Sequence, residues 1–282
     1  MKRGGNANME TKEECFCIEN LVSIIMPAYN CEDFIAETIE SVEKQTYQEW
    51  ELLIVDDCST DKTRDIVEAY RKKDERIILY KNGNNRGAAY SRNRAVKYAK
   101  GEFIAFLDSD DLWEKNKLEI QISFMKKNSC PFSCTYYKKI DETGNETGEI
   151  VKSKKELKYK DLLKNCPGNS TVVYNAKELG KFYIPNIKKR NDYVMWLKVI
   201  KKAKKVYTLN SCLGCHRIRG GSLSKRKVDL IQYHWIVYRK FEKLNIFYSC
   251  YLLLYWCLKG IGRNLINIKM RIKNNENITY KL

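Results

Sequence analysis

The chain has 282 residues, 44% of them hydrophobic and 31% charged, enough apolar material to bury a full core and to exclude an intrinsically disordered chain. The first twenty residues, MKRGGNANMETKEECFCIEN, carry no apolar signal core, and no apolar run reaches the roughly 20 residues that cross a bilayer as a helix. The 11 cysteines are therefore expected to stay reduced in a cytoplasmic protein with no spanning helix. The formal charge of +17 is unevenly spread: residues 1–150 hold 22 Lys+Arg against 28 Asp+Glu, whereas residues 151–282 hold 30 against 7, which points to an anionic partner for the second half.

Taken in order, Leu21 to Met26 reads as a buried strand broken by Pro27, Ala28, Tyr29 and Asn30, after which Ile35, Ile39 and Val42 recur at helical spacing. Trp50 to Val55 is a second strand ending in Asp56 and Asp57. Ser59, Thr60 and Asp61 can cap a helix that continues through Ile66, Val67 and Tyr70. Arg76 to Tyr80 is a third strand, leading through the loop NGNNRG into a helix from Ala88 to Lys100, with Gly101 as its expected stop. A fourth, Phe103 to Leu107, delivers Asp108, Asp110 and Asp111. Side chains two apart on an extended chain share a side, so Asp108 and Asp110 can offer hard oxygen ligands to Mg2+ or Mn2+. Asp111 also reads as the cap of the next helix, with Glu114 completing a capping box ahead of Leu118, Ile122 and Met125.

Strand followed by helix, four times over, predicts an α/β fold with a mainly parallel sheet covered on both faces. Ligands bind such sheets beyond the C-terminal strand ends, which is where Tyr29, Asp57 and Asp108 fall. Tyr29 can stack on a base, and Asp57 can accept from its N–H groups.

The segments VSIIMPAYN, LLIVDDCSTD, NNRGAAYSRN and GEFIAFLDSDD, in this order and spacing, resemble the family 2 glycosyltransferases, inverting enzymes of the GT-A fold that use nucleotide-activated sugars. The resemblance covers about residues 21–225 and implies a Rossmann-like GT-A domain, its nucleotide-sugar half running to about 130. A polar tail (1–20) precedes it, and a basic, aromatic-rich helical appendage (226–282) follows. By resemblance, Pro27, Ala28, Tyr29, Asn30, Asp57, Asn85, Gly87, Arg92, Ser109 and Asp110 would contact the nucleotide-sugar, and Asp108, Asp110 and Asp111 would hold Mg2+ or Mn2+. Further on, Cys134 to Ile140 and Glu149 to Ser153 read as strands around DETGNETG, and Lys188-Lys189-Arg190-Asn191-Asp192 precedes a helix through Val194, Leu197 and Ile200. The family commonly places a Glu-Asp pair here, its Asp being the catalytic base. This chain has Asn191 and Asp192, so the base is expected at Asp192. Arg217, Ser222 and Ser224 resemble the family's Arg and Ser-x-Ser segment, a loop over the donor phosphates or acceptor. The overlapping Cys212-Leu213-Gly214-Cys215-His216 fits haem attachment and redox spacings but reads as packed strand cysteines.

The expected activity is metal-dependent, inverting transfer of a hexosyl or related sugar from a nucleotide-sugar, UDP being the first choice, to a glycan or lipid-linked saccharide. That places the protein in bacterial surface polysaccharide or glycolipid assembly, peripheral at the inner face of the cell membrane. The rivals are an inactive nucleotide-sugar-binding protein and a basic nucleic-acid-binding protein. No nucleic-acid module is recognisable, so no nucleic acid is expected, and no Gly-x-Gly-x-x-Gly follows the first strand. A homo-oligomer is left open. Ile231, Trp235, Tyr238 and Phe241 at helical spacing, beside Arg239, Lys240 and Lys243, predict a helix lying on an anionic membrane. The 13 uncharged residues 246–258 predict a second interfacial segment. The alternative is that these stripes pack on the catalytic domain or on a second subunit.

Overall fold

A computed structural model describes residues 17–219 and 227–260. The first half alternates β1 (Ile18–Ala28), α1 (Ile35–Glu43), β2 (Trp50–Asp56), α2 (Thr63–Arg71), β3 (Ile77–Lys81), α3 (Ala88–Tyr98) and β4 (Gly101–Phe106). The second half is less regular. It comprises β5 (Leu112–Trp113), α4 (Lys117–Lys127), β6 (Phe132–Ile140), β7 (Glu146–Val151), β8 (Glu156–Lys158), α5 (Tyr159–Leu162), a 3-10 turn (Asn169–Thr171), β9 (Val173–Asn175), α6 (Ala176–Leu179), α7 (Asn191–Ala203) and β10 (Lys205–Arg217). The appendage is α8 (Lys227–Ile236), a π-helical turn (Val237–Phe241) and α9 (246–260).

One sheet runs β3-β2-β1-β4-β9-β6-β10-β5. The β3-β2-β1-β4 half is parallel, as the four repeats predict, and the short antiparallel β9 joins it to a second parallel pair, β6 and β10. Alternation along β1 sorts the two faces: Val22, Ile24 and Met26 pack with α1 and α4, whereas Ile25 faces α3, α7 and the appendage. Gly101 proves to open β4 rather than cap α3. A Cβ there would stand 2.5 Å from the Leu21 carbonyl oxygen, so only glycine lets β4 enter beside β1. The DETGNETG strands form a tighter hairpin than predicted, with Ile140 paired to Glu146.

The appendage divides the two predicted interfacial stripes. Tyr238 is fully buried, its hydroxyl and that of Tyr193 both donating to the Leu163 carbonyl at 2.9 and 3.0 Å, while Tyr233, Ile236 and Phe241 pack on the core. Tyr238 and Phe241, at the end of the first stripe, therefore face the protein, because a partly apolar helix satisfies a core and a membrane with the same periodicity. The stripe on α9 does not.

One buried charge gives this fold a pH signature. Lys117 is fully buried, bonded to Gln121 Oε1 and 4.5 Å from the Trp113 ring centroid, and burial pushes its pKa down to about 7 from an ordinary 10.5. Below about 7 both folded and unfolded chains hold that proton. Between about 7 and 10.5 only the unfolded chain does, so stability rises with pH across this window by at most about 1.4 kcal/mol per unit. Lys117→Met keeps the volume and removes the slope. Urea midpoints of the wild type at pH 7, 8 and 9 are expected to rise relative to those of the variant; parallel midpoints would mean that Lys117 stays charged.

Candidate active site

The C-terminal ends of β1, β2 and β4 meet because the strands are adjacent and parallel. Beyond β1, Tyr29 is exposed, and Asn30 is held by its N–H to Ser59 Oγ (3.1 Å) and by Thr60 N–H to its Oδ1 (2.9 Å). Beyond β2, the buried Asp57 carboxylate fastens the next loop, accepting from Asn82 Nδ2 (2.7 Å), Arg86 N–H (3.0 Å) and Gly87 N–H (2.6 Å). Gly87, at φ +84°, then opens α3. Asp57 thus sets the position of 85–87, and a carboxylate with about four lone-pair sites still has room for a ligand donor. Its neighbour Asp56 is structural, paired with Arg64 at 2.6 Å.

Beyond β4, the three carboxylates have different surroundings. Asp108 accepts from Arg92 Nη2 (2.6 Å) and Asn169 Nδ2 (2.9 Å). Burial opposes its charge, but Arg92 and His216 outweigh that and hold its pKa below the usual carboxylate range. Asp110 pairs with Arg219 at 2.7 Å, and burial, with Asp111 and Asp108 nearby, pushes its carboxyl up to about 6. Asp111 is buried and has both oxygens engaged, by Ser170 Oγ (2.5 Å), Arg217 N–H (3.0 Å) and His216 Nδ1 (3.1 Å). That bond to Asp111 lifts the His216 pKa to about 9, against burial. The predicted capping box is not formed: α4 starts at Lys117, and Asp111 instead ties β10 to the end of β4. Ser109 lies between, its carbonyl accepting from Thr38 Oγ1 at 3.1 Å. Among the described residues no three His, Cys, Asp or Glu side chains converge as a ready-made metal cage.

Helix α7 carries Asp192 to this place. Its buried face includes Trp196, whose ring meets Phe106 edge-on at 5.0 Å and stacks on Phe132 at 5.8 Å. Asp192 is one turn before Trp196 on the same face, and Phe106 is two residues before Asp108, so the packing sets Asp192 beside the carboxylate cluster. Electrostatics agrees: burial disfavours the Arg92 guanidinium, yet Asp108, Asp192 and Asp110 raise its pKa above the usual value. Asn191 Oδ1 accepts the Asp192 N–H at 2.7 Å.

Asn169 and Ser170, from the 3-10 turn some sixty residues after the cluster, were not legible in the sequence: no motif marks them. Ser170 also receives the Asp108 N–H (3.1 Å). Two buried atoms here have no partner among the described residues, Asn169 Oδ1 and Arg92 Nε.

Arg217 is held by its own chain. Its side chain is buried, with Nε donating to the Asp110 carbonyl (2.9 Å), Nη1 to the Asp141 and Glu142 carbonyls (3.3 and 3.1 Å) and Nη2 to Glu37 (2.6 Å). The guanidinium clasps the β6–β7 turn to α1 and the carboxylate loop, and it is Arg219 that meets Asp110. Ser222 and Ser224, and the boundary expected near 225, lie outside the described residues. Arg217→Ala and Arg217→Lys are both expected to lower stability by about 2 kcal/mol, since a lysine cannot serve spread planar acceptors. Unfolding in urea checks this; an unchanged midpoint with weakened donor binding would return Arg217 to the phosphates. Cys212 and Cys215 sit in β10 as free thiols.

The family model "Glycosyl transferase family 2" matches residues 23–181. TuaG of Bacillus subtilis, a protein named for teichuronic acid biosynthesis as a glycosyltransferase, is 40% identical over 251 residues, covering 89% of this chain and 98% of its own length. The Escherichia coli UDP-Glc:alpha-D-GlcNAc-diphosphoundecaprenol beta-1,3-glucosyltransferase WfgD is 42% identical over 252 residues, covering 88% of this chain and 97% of its own. Among solved structures, S. aureus TarS (residues 1–349) in complex with UDP-GlcNAc superposes with a TM-score of 0.66 at 25% identity, over 84% of this chain and 71% of that one. With this GT-A architecture and these relatives, the chain belongs to glycosyl transferase family 2.

Proposed function

We propose that the protein transfers a sugar, with inversion, from a UDP-sugar to a hydroxyl of a lipid-diphosphate-linked saccharide in surface-polysaccharide assembly. The observation that carries this is the placement of Asp192 by Trp196 and Phe106 beside Arg92, Asp108 and Asp110, a base adjacent to a site for a dianionic leaving group. Pro27 to Asn30, with Asp57 and the loop it fastens, would receive the nucleoside. The WfgD name, with its UDP-glucose donor and diphosphoundecaprenol acceptor, supports the choice of both substrate classes.

In the reaction, Asp192 takes the proton of the acceptor hydroxyl as its oxygen attacks the anomeric carbon from the face opposite the diphosphate. Arg92 holds Asp108 in place, and Arg219, freed from Asp110, supplies positive charge to the departing diphosphate. The residues fit a divalent cation: Asp110 is driven toward protonation by burial and by the neighbouring Asp111 and Asp108, and the buried Asn169 Oδ1 is a hard oxygen with no partner among the described residues. Asp108, Asp110 and Asn169 would hold Mg2+ or Mn2+, while Asp111, engaged within the fold, falls outside the set. When bound, the ion offsets negative charge on the leaving diphosphate. Calorimetric titration of UDP-, GDP- and dTDP-sugars tests the donor. UDP-sugars are expected to bind at least tenfold more tightly, and a preference for GDP- or dTDP-sugars would overturn that choice.

A further inference from the structure

Helix α9 has two faces. Leu252 and Ser249 are buried, Tyr248 and Leu253 pack on the core, and Trp256 lies 4.8 Å from the His234 ring. On the other side Phe247 is 84% exposed, Leu254 and Leu258 59% each, and Tyr251 47%. These four positions recur at i, i+4, i+7 and i+11, which makes one continuous stripe rather than the scattered apolar residues of an ordinary surface. Lys164 borders it, bonded to Tyr251 Oη at 2.9 Å and 5.0 and 5.1 Å from the Tyr251 and Tyr255 ring centroids.

We propose that this stripe is the face by which the protein seats on an anionic phospholipid bilayer. Charge selects this occupant over a second copy of the chain. From Lys243 to Lys259 the segment that carries α9 has no Asp or Glu, and Lys164 borders the stripe, so a two-fold contact through this face would set like charges against each other, whereas an anionic bilayer complements both the charge and the apolar ridge. An amphipathic helix with aromatic and leucine residues on one side and basic residues around it lies in the interface plane. No described helix is long and apolar enough to cross a membrane. The seat is mechanically close to the chemistry. The appendage is fixed to the end of α5 and to α7 by Tyr238 on Leu163 and by Lys201 on Glu242 at 2.6 Å, and α7 is the helix that carries Asp192 in its first turn. This last point rests on the proposed transferase function; the bilayer contact does not.

Co-sedimentation of the full chain with vesicles of phosphatidylcholine, with and without phosphatidylglycerol, tests it. The expected result is partitioning at least tenfold stronger with the anionic lipid, weakened but not abolished by salt. The variant Phe247→Ser/Leu254→Ser/Leu258→Ser, altered only at exposed positions, is expected to lose at least tenfold of that partitioning while keeping the wild-type melting temperature and donor affinity. Absence of wild-type binding to anionic vesicles would overturn the proposal, and so would unchanged binding by the triple variant. A dimer in light scattering that the triple substitution dissociates would assign the stripe to a second copy instead. Loss of vesicle binding with transfer to a soluble acceptor intact would separate this face from the catalytic reading.

Discussion

Asp192→Asn is expected to cut sugar transfer by at least about 100-fold while leaving UDP-sugar affinity within a few-fold of wild type. The amide keeps the shape of the carboxylate, and α7 is held by Trp196 against Phe106 and Phe132, so the helix has no reason to move. What disappears is the ability to take the acceptor proton. The loss should appear in kcat with KM for the donor little changed, because the interaction removed is made only as the hydroxyl attacks. Steady-state kinetics against both substrates, with calorimetric donor binding, measures this. Transfer retained at the wild-type rate would place the base elsewhere.

Asp110→Ala is expected to abolish most transfer, by roughly 1,000-fold, the scale of removing one group that stabilises transition-state charge. Its carboxyl is already destabilised by burial and by Asp111 and Asp108, so removing it should cost the fold little, about 1 kcal/mol or less once the Arg219 pair is lost. Chelator treatment of the wild type should reproduce the loss, and Mn2+ or Mg2+ should reverse it in the wild type but not in the variant. Asp111→Ala should behave differently: it releases Ser170, His216 and the Arg217 N–H from a buried carboxylate, so the melting temperature falls first and activity follows. Full activity of Asp110→Ala in chelator would contradict the role given to Asp110.

The parallel half of the fold was legible because strands buried on both faces are written as near-continuous apolar runs, such as Ile24 to Met26 and Leu52 to Val55, separated by helices with their own period. Tyr29, Asp57 and Asp108 could be read as a group because topology puts the C-terminal ends of parallel strands at one edge, whereas Arg92, inside α3, was marked only by the family resemblance. The rest depended on contacts that leave no local pattern. Asn169 and Ser170 reach the carboxylates from a single 3-10 turn, and β9 is three residues long. Asp111 and Glu114 have the spacing of a capping box, but that spacing is satisfied equally by a carboxylate whose partners come from β10. An arginine ahead of a Ser-x-Ser reads the same whether it meets phosphate or, like Arg217, four acceptors of its own chain. In the appendage two apolar stripes have equal periodicity, and only packing shows that Tyr238 faces inward while Phe247 faces out.

The most direct test of the central claim is the anomeric configuration of the product, read by proton NMR, when the purified full chain is given an α-linked UDP-sugar, Mn2+ and a short-chain lipid-diphosphate-linked saccharide. A β-glycosidic product with release of UDP is predicted, since Asp192 deprotonates a hydroxyl attacking opposite the diphosphate. An α-linked product, or UDP release without any glycoside formed, would contradict it.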